Sequence, residues 1–310
     1  MLQIFKTING KITEVETIEK DTWINLVSPT KEEMELVGTS LHIEEDFLFA
    51  ALDKEEISRV ELDDETGHAL ITLDIPVMES HDELLFYHTI PIGIIETADN
   101  VVTVSVQSTK LLEDFAGGVV KYVFTNLRSR FIFQLMYLVA TRFLVYLRQI
   151  NRMTNQIEKE VHKSMKNKEL FQLMDLEKSL VFFSTSLRAN QLVMEKLQRG
   201  RILQLYEDDQ DLLEDIIIEF DQAIEMATMY SNILSSTMDA FASIINNNLN
   251  NVMKKLTIVT ILMSIPTMIS SFYGMNVKGL PMANFLPVMG LIIVITSMVA
   301  LVLYKLRMFS

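Results

Sequence analysis

Over the first 105 or so residues of this 310-residue chain, apolar positions come in short runs separated by turn signals, the pattern of strands. Leu2 to Lys6 and Ile12 to Ile18 flank Asn9-Gly10, a hairpin signal because both turn positions must accept positive φ. Trp23 to Val27 reads as a further strand, and Ser28-Pro29-Thr30 with Glu33 three residues on reads as a capped helix start. More strands are expected at Val60 to Leu62, His68 to Pro76, Leu84 to Ile95 and Val101 to Val106, with turns at Asp63 to Gly67 and Asp99-Asn100. These elements make a small α/β domain.

From Thr109 onward helical periodicity replaces the strand signals. Gly117-Gly118 marks a break, after which Val119 to about Lys166 and Asn167 to Gln198 read as two long helices, parted at Arg199-Gly200 from a third. Between Ile202 and Gly274 the only proline is Pro266 and there is no glycine before Gly274 itself. One helix of about 70 residues, about 105 Å long, is therefore expected there. A helix of that length needs partners, and self-association around an axis supplies them.

Two segments carry no charge: Leu256 to Gly274, 19 residues, and Phe285 to Tyr304, 20 residues. At about 1.5 Å per residue each spans the hydrocarbon core of a bilayer, so both read as membrane helices. A third apolar run, Phe131 to Thr141, is 11 residues long and bracketed by Arg128, Arg130, Arg142 and Arg148. It is too short to span and reads as the buried face of a soluble helix.

Stepping along the third helix by alternating fours and threes gives Asp239, Ser243, Asn246, Asn250, Met253, Thr257, Thr260, Ser264, Thr267 and Ser271. Nine of these ten are polar, whereas the positions between them in the membrane segment are mostly apolar. An ordinary coiled-coil seam would be Leu and Ile, and lipid would not tolerate a polar line through its full depth. Two readings fit: close helix packing through small hydroxyl residues, or a water-filled axis lined by several copies. The cytosolic continuation through Asn250, Asn246 and Asp239 favours the wet axis, because a row of unshared carboxamides is costly unless hydrated. Met253 and Leu256 interrupt the line at the cytosolic end of the first span and would form a hydrophobic gate. Pro266 removes one helix hydrogen bond and frees the carbonyl of Leu262, for a kink or for the axis.

Charge narrows the picture. With 27 Lys and Arg against 41 Asp and Glu the formal net charge is −14, which argues against nucleic acid and for cationic partners. There is no cysteine, so a bound metal would see oxygen or imidazole ligands, and hard cations such as magnesium come first. The charged N-terminus is not a signal peptide. Lys254 and Lys255 precede the first span and Lys305 and Arg307 follow the second, against Lys278 alone between them. The positive-inside bias then puts both termini in the cytoplasm and residues 275–284 outside.

At the head of the polar line stands Tyr273-Gly274-Met275-Asn276, and YGMN at the end of the first of two C-terminal spans resembles the signature of the CorA family of magnesium transporters. The likeness extends upstream through NNVMKKLTIVTILMSIPTMISSFYGMN, and the overall plan covers the whole chain. It implies a homopentameric funnel. Residues 1–200 would be a cytosolic α/β/α domain with a helical bundle and 201–255 a pore-lining stalk. Residues 256–274 and 285–304 would be the spans, 275–284 the external loop and 305–310 a cytosolic tail. By position Gly274, Met275 and Asn276 would be the selectivity filter, the Asn276 oxygens meeting a hydrated cation. Thr267, Asn250 and Asp239 would be further rings, and Met253 and Leu256 the constriction. Transport of Mg²⁺, with Co²⁺ and Ni²⁺, gated by internal Mg²⁺, follows from the same likeness.

The stretch Tyr206 to Glu225 holds nine carboxylates, mostly readable as a solvated helix face. Asp215 resembles the position where regulatory magnesium bridges neighbouring subunits; its partners would be among Glu45, Asp46 and Asp53. The external loop VKGLPMANF carries Lys278 and no acid, which leaves capture to Asn276 or Asn284. His42, His68, His81, His88 and His162 have no metal-ligand spacing and no Gly-rich phosphate loop precedes a helix, so an enzyme is not expected. The alternatives are a zinc transporter on the same fold and a membrane-anchored scaffold, the latter requiring an apolar seam.

Overall fold

The computed structural model describes residues 1–54, 56–81, 84–163, 167–200, 202–203, 206–276, 280–281 and 284–306. Lys278 and Arg307, two charges behind the expected topology, lie outside them. The chain divides into two compact units, Met1–Ser236 and Thr237–Ser310.

The first unit opens with the expected hairpin. Strands β1 (Leu2–Ile8) and β2 (Lys11–Glu14) pair antiparallel across Asn9 and Gly10, whose φ of 52° and 76° are the positive values that turn demands. The second strand stops at Glu14 rather than Ile18. Next come β3 (Thr22–Val27), helix α1 (Lys31–Leu41), α2 (Glu45–Ala50), β4 (Arg59–Leu62), β5 (Ala69–His81), β6 (Leu84–Glu96) and β7 (Val101–Ser105). Thr30 and Glu33 close a full capping box on α1. The seven strands order as β2-β1-β3-β7-β6-β5-β4, with β3 and β7 the parallel pair.

Alternation along β3 shows how the layers form. Ile24 and Leu26 join a core with Met34, Val37, Phe47 and Leu48 of α1 and α2. Trp23 points the other way, stacking on Phe5 and meeting Phe115 of α3 (Lys110–Ala116) and Phe131 of α4 (Arg128–Lys163) edge-on or tilted. Its indole N–H donates to Thr103, which in turn donates to Asn25, so these buried polar groups satisfy one another. The result is an α/β/α sandwich. Gly93 on β6 lets α2 approach: a Cβ there would sit 2.9 Å from that of Ala51.

Helix α4 begins nine residues later than Val119. The intervening chain is held in a non-helical course, with Tyr122 at φ 62° and Thr125 exchanging hydrogen bonds with Thr7 of β1. Among the described residues three helices are long and apolar enough to cross a membrane, and α4 is one of them. Its apolar stretch is 61% buried inside the protein, against 11% and 6% for the other two, Asp209–Tyr273 and Phe285–Lys305. The run from Phe131 to Thr141 is thus core.

Helix α5 (Asn167–Gln198) fastens the β5–β6 hairpin by a feature absent from the apolar pattern. The pairing of β4 with β5 ends at Arg59 and Thr72, which leaves the backbone of Asp74 beyond the ladder. Asn190, fully buried, takes the missing strand's place: its Oδ1 accepts from Asp74 N at 2.9 Å and its Nδ2 donates to Asp74 O at 2.8 Å. The same Oδ1 accepts from Ser58. Four and eleven residues earlier on α5, Ser186 bonds Thr89 and Ser179 accepts from Tyr87 N. Removing such a side chain leaves several buried groups unpaired, at about 1–3 kcal/mol for each.

Beside this zipper, burial raises the carboxyl pKa of Asp74, a shift that a hydrogen bond from Ser186 only partly offsets. A folded-state pKa above the unfolded one means that stability is fully present below the unfolded value, about 3.9, and is lost as pH rises through the folded one. Asp74→Asn is therefore expected to match the parent's melting temperature near pH 4 and to exceed it at neutral pH. Thermal unfolding followed by circular dichroism across that window checks this; an equal gain at every pH would remove the linkage.

Helix α6 (Glu207–Tyr273) runs without interruption for 67 residues and contributes to both units. It starts at Glu207 rather than Ile202 and stays helical through Pro266. In the first unit Leu213, Ile216, Phe220, Ala223, Ala227 and Leu234 form its buried side. The second unit consists of the rest of α6 and α7 (Phe285–Lys305).

Candidate functional site

In the second unit the buried side chains of the two apolar stretches are Ile258, Ile265 and Ile269 on α6 and Leu303 on α7. At about 100° per residue the three isoleucines lie within roughly 20° of one line along α6. The positions Met253, Thr257, Thr260, Ser264, Thr267 and Ser271 centre about 140° round the helix from that line. All of them are exposed or half-buried, as are Asp239, Ser243, Asn246 and Asn250 upstream and Leu256 beside Met253. The polar line thus occupies the side of α6 turned away from its buried isoleucines.

Five of the hydroxyls on this line donate back into their own helix. Thr257, Thr260 and Thr267 donate to the carbonyls of Met253, Leu256 and Met263 at 2.8, 2.9 and 3.0 Å, four residues back. Ser264 donates to Ile261 at 2.9 Å and Ser243 to Asp239 at 3.0 Å. This back-bonding satisfies the O–H inside the helix, as hydroxyl residues in apolar helices do. Its chemical consequence is directional. The proton is spent inward, so what each oxygen presents outward is lone pairs. These hydroxyl positions accept hydrogen bonds from the waters of a hydrated cation and keep no O–H for an anion.

At the head of the line, α6 ends with Gly274 N bonded to Ser270 O at 2.9 Å and Met275 N to Phe272 O at 3.3 Å. Gly274 does not end the helix in the left-handed conformation, since it is not among the glycines at positive φ. Its small size serves contact instead, because an added Cβ would lie 3.3 Å from the Ser270 carbonyl. Met275 and Asn276 follow, both exposed. Asn284 is the N-cap residue of α7 and makes no side-chain cap bond. The tyrosine of YGMN, to which the sequence alone assigns no role, donates its hydroxyl to the carbonyl of Pro281 at 3.0 Å. The available signal was a phenol at a membrane interface, where the ring is buried in the apolar layer and its hydroxyl finds a polar partner.

The acidic stretch divides. Asp209 is 3% exposed and pairs with Arg130 at 3.1 Å, so it belongs to the core and not to a solvated face. Asp221 accepts from Gln191 at 2.8 Å. Asp211, Glu214, Asp215 and Glu225 are exposed or half-buried on α6. Asp46 is exposed in the first turn of α2, beside Glu45, and Asp53 is exposed just beyond it. Among the described residues no group of three or more His, Asp or Glu side chains is disposed to hold a metal ion. Burial lowers the pKa of both His68 and His88, the marks of packed imidazoles. His42 is the left-handed C-cap of α1, and the side chains of His81 and His162 lie outside the described residues.

The model of one family, described as CorA-like Mg²⁺ transporter protein, matches residues 19–307. The chain belongs to that family. Among curated relatives, the cobalt/magnesium transport protein CorA of Methanocaldococcus jannaschii is 29% identical over 290 residues, 88% of this chain and 86% of its own. The complete structure of the CorA magnesium transporter from the same organism superimposes with a TM-score of 0.82, covering 98% of both chains at 24% identity. The cytoplasmic domain of ZntB from Vibrio parahaemolyticus gives a TM-score of 0.62 at 11% identity over 79% of this chain and 98% of its own. These superpositions confirm the fold: an α/β/α domain, long helices and a two-helix apolar C-terminus. The family is one of transporters, not of enzymes.

Proposed function

We propose that this chain is one subunit of a homopentameric magnesium channel in the cell membrane, with α6 lining the pore. The observation that carries the reading is the polar line on α6, which is turned away from the buried isoleucines and headed by Gly274-Met275-Asn276. In this reading 256–274 and 285–304 cross the bilayer, both termini are cytoplasmic and 275–284 faces outward. Residues 201–255 continue the pore as a stalk beneath the funnel of residues 1–200.

Magnesium surrenders its waters reluctantly, so a pathway of acceptor oxygens conducts it by hydrogen-bonding the hydrate. Asn276 forms the outer ring and Thr267, Ser264, Thr260 and Thr257 the acceptor rings below it. Met253 and Leu256 close the passage by dewetting when the subunits draw together, and Asn250, Asn246 and Asp239 receive the ion on the cytosolic side. The inward-negative membrane potential drives entry. Cobalt and nickel, divalent ions that also carry a water shell, pass by the same route.

Purified protein in liposomes should take up magnesium under an inside-negative potential, with block by cobalt hexaammine, a stable mimic of the hydrate. Competition among Mg²⁺, Co²⁺, Ni²⁺ and Zn²⁺ in that assay separates a magnesium from a zinc carrier. An intact pentamer that passes none of them would mark the chain as a membrane-anchored scaffold.

Closure is assigned to internal magnesium held at Asp215, facing acids of the next subunit such as Asp46 or Asp53. Losing the ion would leave like charges opposed and push the subunits apart. Asp215→Lys should blunt inhibition of flux by internal magnesium by about tenfold in concentration, the worth of about 1.4 kcal/mol. An unaltered magnesium dependence would place the sensor elsewhere.

A further inference from the structure

The bond from the Tyr273 phenol to the Pro281 carbonyl, 3.0 Å long, joins residues eight apart in sequence. Tyr273 is the last residue of α6, and Pro281 stands three residues before the N-cap of α7. One side-chain bond therefore ties the end of α6 to Pro281, and Gly274-Met275-Asn276 stand between these two residues in sequence. Backbone bonds to α6 fasten Gly274 and Met275 and, among the described residues, end there.

Water could satisfy a tyrosine hydroxyl at a membrane surface, so burial alone does not force this bond. Its effect is on entropy: pinning a loop near both ends removes conformations, and a carboxamide held still loses less freedom when it engages a ligand. Resting on the reading of α6 as a cation pathway, we propose that Tyr273 is a positioning residue for the outer ring. Its phenol, through Pro281, holds the loop so that Asn276 presents its oxygen to the arriving hydrated cation.

The test is Tyr273→Phe in the full-length protein in liposomes, with flux measured against external magnesium and against cobalt hexaammine. The apparent KM for magnesium and the half-blocking hexaammine concentration should each rise about three- to tenfold, the effect of one net hydrogen bond. Maximal flux and oligomer size should match the parent, and Tyr304→Phe, which removes an exposed hydroxyl from α7, should leave all four quantities unchanged. An unchanged KM in Tyr273→Phe overturns the inference. So does a fall in maximal flux at constant KM, or a lost oligomer, since either makes the phenol a purely structural group. If the parent itself neither passes magnesium nor responds to hexaammine, the pathway reading fails first. A conducting parent with an indifferent Tyr273→Phe brings down only the role of the phenol.

Discussion

Asn276→Ala in the full chain should abolish magnesium uptake while the oligomer survives. The side chain is exposed beyond the end of α6 and buries nothing, so its removal leaves no cavity and breaks no core contact. On the proposed channel reading, what it takes away is one acceptor oxygen per subunit where the hydrated ion would first be held. A net hydrogen bond is worth about 1 kcal/mol, and five acting together would hold about 5 kcal/mol, between three and four orders of magnitude in occupancy at the mouth. Little else could compensate, because no acidic side chain lies between Asn276 and Asn284 to raise the local cation concentration. Flux measured alongside oligomer mass decides the matter: undiminished uptake from an intact assembly would remove Asn276 from the pathway.

Much of the fold was legible because its signals were local. Asn9-Gly10, the Thr30–Glu33 box and the four later strands are written in residues adjacent to where they act, and each stands within a few positions of its expected place. Errors arose where a distant partner decided. The start of α4 is set by Thr7, more than a hundred residues away, which exchanges hydrogen bonds with Thr125 and holds the approach out of helix. Asn190 reads as a polar interruption of an apolar face until β5 is seen to need a substitute strand at Asp74. Likewise Asp209 is one carboxylate among nine until Arg130 of another helix is found against it.

The candidate site divides along the same line. The period of Thr257, Thr260, Ser264 and Thr267 reveals the polar stripe, but not the direction of its hydroxyl protons, which follows from carbonyls four or three residues back. Nor does YGMN disclose the bond from its first residue to Pro281, which depends on how the loop returns.

Ser264→Leu should cost at least about tenfold in magnesium flux, whereas Met263→Leu next to it should behave as the parent. Both positions are exposed on α6 within the membrane span, and Met263, at 68%, is already apolar. They differ by about 100° around the helix, which puts Ser264 on the polar line and Met263 off it. On a wet axis, Ser264→Leu in every subunit would replace a ring of outward lone pairs with branched hydrocarbon, narrowing the passage and favouring its dewetting. Thr260→Val separates the two effects: the volume is nearly kept while the oxygen is lost, so a several-fold fall there isolates polarity from width. Helix packing through small residues gives the opposite signature. If Ser264 and Thr260 existed only to bring helices close, Ser264→Leu would force the helices apart and dissolve the oligomer, and Thr260→Val would be almost silent. Equal effects of Met263→Leu and Ser264→Leu would show that the line is not the side of α6 that meets water. Flux and oligomer mass read on the same three variants therefore choose between pore and packing.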